Sequence, residues 1–140
     1  MLTDNVALAL GLWRTDALIR RRLEGPLGGG HGIGYTDFVI LAELASVVGG
    51  RLRPVDLANR LQLTASGVTR AVLPLAKIGL VAREAHDRDA RASYVSITQA
   101  GRTRVEEAMI TVERVVAEIV SPLSRVDRLT LLGSLERLGY

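Results

Sequence analysis

Between Thr64 and Arg70 the sequence reads Thr64-Ala65-Ser66-Gly67-Val68-Thr69-Arg70, a helix start that carries hydroxyls and a guanidinium. Ser66 and Thr69 have hydroxyls that donate to phosphate oxygens or base edges, and Arg70 is long enough to reach either. Ala65, Ser66 and Gly67 are small, so another backbone can come close. The first N–H groups of a helix lie at the positive end of its dipole and suit a phosphate. Thr64, Ser66, Gly67, Thr69 and Arg70 are therefore the first candidate contacts to a polyanion. The plain alternative is that Ser66 and Thr69 are ordinary exposed helix residues.

A second charged group follows at His86-Asp87-Arg88-Asp89-Ala90-Arg91. Placed on a narrow hairpin tip, Arg88 and Arg91 can enter a minor groove, where negative potential is focused. Asp89 stands two residues from Arg91 and can hold its guanidinium by a charge-assisted hydrogen bond. A solvated charged turn is the alternative.

Other chemistries find no residues. No nucleophile-base pattern, metal-ligand cluster or phosphate loop is present, so the chain does not read as an enzyme and calls for no cofactor. The absence of cysteine removes disulfides, thiol sensing and cysteine zinc sites. His31 and His86 are too far apart in sequence to suggest a zinc site. Gly25 to Gly34 is rich in glycine, but no Lys-Ser/Thr follows it and no strand precedes it, so it reads as a flexible loop rather than a nucleotide site.

The net charge of +3 is unevenly spread. From Arg51 to Arg104 there are ten Lys+Arg against four Asp+Glu, whereas residues 1–50 carry −1 and residues 105–140 carry −2. Such a local positive field suits a polyanion. With Trp13, Tyr35, Phe38, Tyr94 and Tyr140 as the only aromatics, stacking platforms for unpaired bases are scarce, and duplex is the better partner. No segment is long and apolar enough to span a membrane, and Met1 to Leu12 lacks a basic start, so a cytoplasmic location is expected.

The elements that must position these residues follow from periodicity and caps. Asp4 to Glu24 reads as a helix with two apolar faces, Val6, Leu10, Trp13 and Ala17 on one and Leu8, Leu12, Ile19 and Leu23 on its neighbour. That surface is wider than one small domain needs. Thr36 caps a second helix, Asp37 to Val48, with Tyr35 and Ile40 spaced as a hydrophobic staple, and Gly49-Gly50 stops it. Arg51-Leu52-Arg53 is short and extended. Pro54 opens a third helix ending at Leu61, and Thr64 caps a fourth, Ala65 to Ile78, with Val68, Ala71, Val72, Leu75 and Ile78 inward. Leu80 to Ala85 and Ala92 to Ile97 form a hairpin in which Val95 and Ile97 alternate with Tyr94 and Ser96. Thr98 caps a fifth helix to about Ser121, with Val105, Ala108, Met109, Val112, Val116 and Ile119 as its stripe. Ser124 and Asp127 form a capping box for a last helix with Val126, Leu129, Leu132 and Leu135 inward.

The fold class is mainly α with a small β-hairpin, a winged helix-turn-helix with N- and C-terminal dimerisation helices. One domain of 140 residues is expected, with residues 36–97 as the DNA-binding lobe and 1–24 and 98–140 as dimerisation helices. A helix of this kind fits the major groove, where its N-terminal residues meet base edges.

Residues 54–101 resemble the core of MarR-family regulators. The resemblance is carried by Asp56-Leu57-Ala58, Val68-Thr69-Arg70, Ile78-Gly79-Leu80-Val81-Ala82-Arg83, Asp89-Ala90-Arg91, and Ile97-Thr98 with Gly101. It implies a homodimeric transcriptional regulator, a repressor, with interlocked terminal helices and two recognition helices set for successive major grooves of a pseudo-palindrome. It implies Arg91 as the wing arginine, with Asp89 as its partner. It also implies release of DNA by a small aromatic or phenolic ligand, for which Trp13, His31, Tyr35 and Phe38 are candidate lining residues; plain core is the alternative for Trp13 and Phe38. Pro74 departs from a regular recognition helix and predicts a bend or loosening between Arg70 and Lys77. The rival reading is a winged-helix module that binds protein without specific DNA binding.

Overall fold

A computed structural model of the chain describes residues 1–86 and 89–139, and the backbone alone at 85–86 and 89–92. The elements run α1 (Asp4–His31), α2 (Tyr35–Ser46), β1 (Arg51–Leu52), α3 (Pro54–Leu61), α4 (Ala65–Lys77), β2 (Val81–His86), β3 (Asp89–Ile97), α5 (Gln99–Ile119) and α6 (Arg125–Glu136). They fall into two units, Ile33–Met109 and Met1–Gly32 with the chain from Ile110 onward.

In the first of these units the short helices α3 and α4 form as their caps and apolar spacing require. Pro54 stands in the first turn of α3, where its missing N–H costs nothing. The turn that follows rests on Gln62, whose backbone is left-handed at φ 53 and ψ 40. The Leu63 N–H closes the end of α3 on the Ala58 carbonyl at 2.9 Å. Leu57 and Ala58 of α3 and Val68, Val72 and Leu75 of α4 are buried.

α2 begins two residues earlier than the sequence predicts, with Gly34 rather than Thr36 at the cap. Asp37 is the cause, since its Oδ2 accepts from the Gly34 N–H at 2.8 Å. The helix stops at Ser46 because Val47 is extended, before the Gly49-Gly50 pair is reached. Those glycines instead turn the chain, with φ 84 and 65, a region in which a Cβ is penalised.

The turn delivers β1 to β3, pairing Arg51 with Ser96 and Leu52 with Val95. The expected hairpin is therefore part of a three-stranded antiparallel sheet of order β1-β3-β2. β3 is its middle strand, and Ser96 is buried rather than on a solvent side, within 3.4 Å of the Ala82 carbonyl. Strand pairing also runs further toward the tip than the charged sequence suggests. After a register shift at Ala85/His86, His86 pairs with Asp89, because the ladder is made by main-chain groups and tolerates charged side chains.

The end of α4, the base of the hairpin and the start of α5 meet at one joint. Gly79, at φ 78, ends α4. The Thr98 N–H donates to the Leu80 carbonyl at 3.1 Å. The Thr98 hydroxyl donates to the Gly79 carbonyl at 2.6 Å and accepts from the Gly101 N–H at 3.0 Å. Gly101 has no room for a side chain, since a Cβ there would be driven into the Leu80 carbonyl oxygen.

In the second unit, α1 corrects the predicted boundary at Glu24 and the predicted Gly-rich loop. The helix continues through Pro26 and Gly28 to Gly30, ending at His31. Each glycine opposes a helix by about 1 kcal/mol, but Leu23 and Leu27, one turn apart, are both completely buried and anchor the segment. Gly32, left-handed at φ 66, closes it by donating to the Gly28 carbonyl at 3.1 Å.

α5 buries Val105, Ala108 and Val115, whereas Met109 is exposed and Val112 and Val116 are only half-buried. The inward stripe is thus rotated from the predicted one. α6 has the expected capping box, with Ser124 accepting from the Asp127 N–H at 3.1 Å. Its apolar residues are not inward in the single chain: Val126, Leu129 and Leu132 are exposed and Leu135 is half-buried. On α1, Val6, Leu8, Leu12 and Leu18 are exposed as well. Among the described residues no helix is long and apolar enough to cross a membrane.

Two glycine substitutions test these placements in opposite directions. Gly101→Ala is expected to lower stability by about 1–3 kcal/mol through overpacking. Gly29→Ala, in an exposed helical position with open space around it, is expected to raise stability by about 0.5–1 kcal/mol. Urea unfolding of each variant checks both values; a neutral Gly29→Ala would return that segment to a loop.

Candidate nucleic-acid interface

The start of α4 is built by Thr64. Its backbone is extended (φ −76, ψ 160) and its hydroxyl accepts from the Gly67 N–H at 3.1 Å. Gly67 is small for the sake of this cap, because a Cβ there would stand 3.2 Å from the Thr64 hydroxyl. The same hydroxyl lies 3.2 Å from Ser66 Oγ, and the Thr69 hydroxyl donates to the Ala65 carbonyl at 3.2 Å. Thr64, Ser66, Thr69 and Arg70 are all exposed, so the structure brings these predicted residues together on one accessible helix end.

Electrostatics set this end apart. α1, α2, α3 and α6 each carry an aspartate in the first turn. α4 carries no acidic residue at all, while holding Arg70 and Lys77. Arg53, Arg60 and Arg51 pair with Asp56, Glu43 and Glu84, but among the described residues Arg70 and Lys77 have no ion-pair partner. An acid-free helix start with uncompensated cations can take up a phosphate or another anion.

Pro74 lies inside α4, yet the helix continues without interruption to Lys77. The predicted loosening is absent from the helix boundaries. The carbonyl that loses its partner is that of Arg70, and both positions are exposed, so water can take the vacated site.

The wing residues are partly outside the description. Arg88 lies outside the described residues. Asp89 and Arg91 fall at the start of β3, and their side chains are likewise outside it. The base of the wing is described, and it holds a group the sequence did not announce. The Arg51 guanidinium sits 4.5 Å above the centre of the Tyr94 ring and 3.8 Å from Glu84, joining β1, β3 and β2 across the sheet. Only the pairing of β1 with β3, invisible in a two-residue strand, puts these three together. The turn expected at Gln62-Leu63 is present, but its left-handed backbone at Gln62 is not marked by a glutamine.

Of the four predicted ligand-lining residues, Trp13 and His31 lie on α1 in one unit and Tyr35 and Phe38 on α2 in the other. Tyr35 and Phe38 stack at 6.4 Å between ring centres. His31 is half-buried, with Nε2 2.7 Å from the Thr111 hydroxyl. Trp13 is 68% exposed rather than core. Because α1 is continuous, Trp13 and His31 are separated by about 27 Å along one helix at 1.5 Å per residue. They do not line one small pocket of a single chain. Among the described residues no group of three or more His, Cys, Asp or Glu could hold a metal ion.

A helix-turn-helix followed by a paired wing defines a winged helix-turn-helix protein. Residues 31–92 match the sequence model of the MarR family. The chain is 33% identical over 78 residues to the HTH-type transcriptional repressor YetL of Bacillus subtilis; the match covers 56% of this chain and 47% of that protein, so it spans about half of YetL's length. Its fold is similar to the crystal structure of the transcriptional regulator BldR from Sulfolobus solfataricus, with TM-score 0.78, 31% identity and 97% of each chain covered. It is similar also to a MarR family transcriptional regulator from Streptomyces coelicolor in complex with DNA, with TM-score 0.83, 24% identity, and 99% and 87% of the two chains covered. The chain belongs to the MarR family of DNA-binding transcriptional regulators.

Replacing the cap hydroxyl tests the local geometry. Thr64→Ala is expected to cost about 0.5–2 kcal/mol in chemical denaturation, and Thr64→Ser to restore most of it.

Proposed function

We propose that the protein is a repressor that binds a pseudo-palindromic duplex operator as a homodimer in the cytoplasm. The observation that carries this reading is the exposed, acid-free face of α4, with the Ser66 and Thr69 hydroxyls and Arg70 grouped at its start. Thr64 and Gly67 shape that start, Ser66, Thr69 and Arg70 contact phosphates and base edges, and Arg88 and Arg91 enter the adjoining minor groove with Asp89 orienting Arg91. The repressor sense is supported by the likeness to YetL, a transcriptional repressor. Binding of duplex DNA is supported by the likeness to the regulator from S. coelicolor that was solved with DNA.

The homodimer is supported by the apolar side chains that α1 and α6 leave in water, including Leu8, Leu12, Trp13, Val126, Leu129 and Leu132. Exposure on that scale marks an association surface. Two copies joined there would present two recognition helices about one helical turn of DNA apart. Release by a small aromatic or phenolic ligand remains part of the proposal, with His31, Tyr35 and Phe38 as its candidate contacts. The activity is binding and not catalysis.

The test is fluorescence anisotropy with the DNA upstream of the protein's own gene, at several salt concentrations. Affinity is expected to exceed that for random duplex and to fall steeply with salt, as neutralised phosphates release counterions. Arg91→Ala is expected to weaken binding by about 1–3 kcal/mol. Equal, salt-insensitive binding to both duplexes would remove the DNA reading in favour of a protein-binding winged helix.

A further inference from the structure

The exposed face of α4 has an apolar residue at its centre. At about 100° per residue, Ser66, Thr69, Arg70, Leu73 and Lys77 share an arc of about 100°, with Leu73 near its middle. Val68, Val72 and Leu75, all buried, occupy the opposite side of the helix. Leu73 therefore lies off the buried stripe of α4 and is 43% exposed. It is flanked by Arg70 three residues before and Lys77 four residues after, neither with an ion-pair partner among the described residues.

A partner that fits this pattern offers anionic groups on both sides of a small apolar feature. Duplex DNA does so in its major groove, where phosphates border the base edges and the C5-methyl of thymine is the one apolar group those edges present. We propose that Leu73 contacts a thymine methyl and so sets base identity at one position of each half-site. This inference rests on the duplex-DNA reading above and adds a specificity-determining residue to it. Ser66, Thr69 and Arg70 carry hydrogen-bonding groups, whereas Leu73 discriminates by apolar contact alone.

Replacing thymine by deoxyuracil removes that methyl and leaves every hydrogen-bonding group of the base in place. A duplex is first selected from a randomised pool with the full-length protein, and each thymine of the selected site is then replaced in turn. For the wild type, one symmetry-related pair of replacements is expected to weaken binding about three- to fivefold, the worth of burying one methyl group. For Leu73→Ala the same replacements should change binding less than about twofold on that basis, with the salt dependence unaltered. Leu73→Met, which keeps an apolar surface, should retain the preference. A flat deoxyuracil scan in the wild type, or an equal response in Leu73→Ala, overturns the role of Leu73 and leaves the DNA reading standing. Selection that yields no common sequence overturns both.

Discussion

The bare α-carbon of Gly101 lies against the Leu80 carbonyl, and the Thr98 hydroxyl bridges the Gly79 carbonyl and the Gly101 amide. This joint holds the end of the recognition helix, the base of the wing and the first turn of α5 in one place. Any side chain at position 101 would push these backbones apart. α4 is held at its far end by this joint and at its near end by the Thr64 cap, with its exposed face between them. A binding face held this way gives up little conformational freedom when it meets a partner.

Charge and packing divide the work along α4. Val68, Val72 and Leu75 fill the lobe's core, and that fixes which residues face water: Ser66, Thr69, Arg70, Leu73 and Lys77. That exposed face offers hydroxyls, cations and one apolar side chain at helical spacing. The wing is braced differently, by Arg51 lying over Tyr94 and near Glu84. The individual attractions at such exposed sites are small, so the bracing comes chiefly from the strand pairing that brings the three residues together.

Where the sequence spoke through local chemistry, the elements were legible. Pro54, Thr64, Ser124 with Asp127, and the spacing of Leu57, Val68, Val72 and Leu75 located α3, α4 and the start of α6, because caps and helical period act over a few residues. The exposure of Ser66, Thr69 and Arg70 at the start of α4 followed from that placement. Features set by distant contacts were not legible. α1 runs through Gly28 to Gly30 because Leu23 and Leu27 are buried, a tertiary effect that outweighs local propensity. The start of α2 shifted because Asp37 reached back to Gly34, and β1 became a strand only through β3. The inward residues predicted for α6 are exposed because periodicity shows that a face is apolar and not what covers it.

The central claim is that the start of α4 meets duplex DNA while the joint behind it stays unchanged. Amide hydrogen exchange, read by mass spectrometry with and without the selected duplex, tests this directly. The first N–H groups of a helix have no partner within it, so a bound phosphate should slow their exchange. The account predicts slower exchange over residues 65–70 on adding DNA, with little change at Gly79, Leu80 and Thr98 to Gly101. Unaltered exchange over residues 65–70 at saturating DNA, with protection elsewhere in the chain, would contradict it.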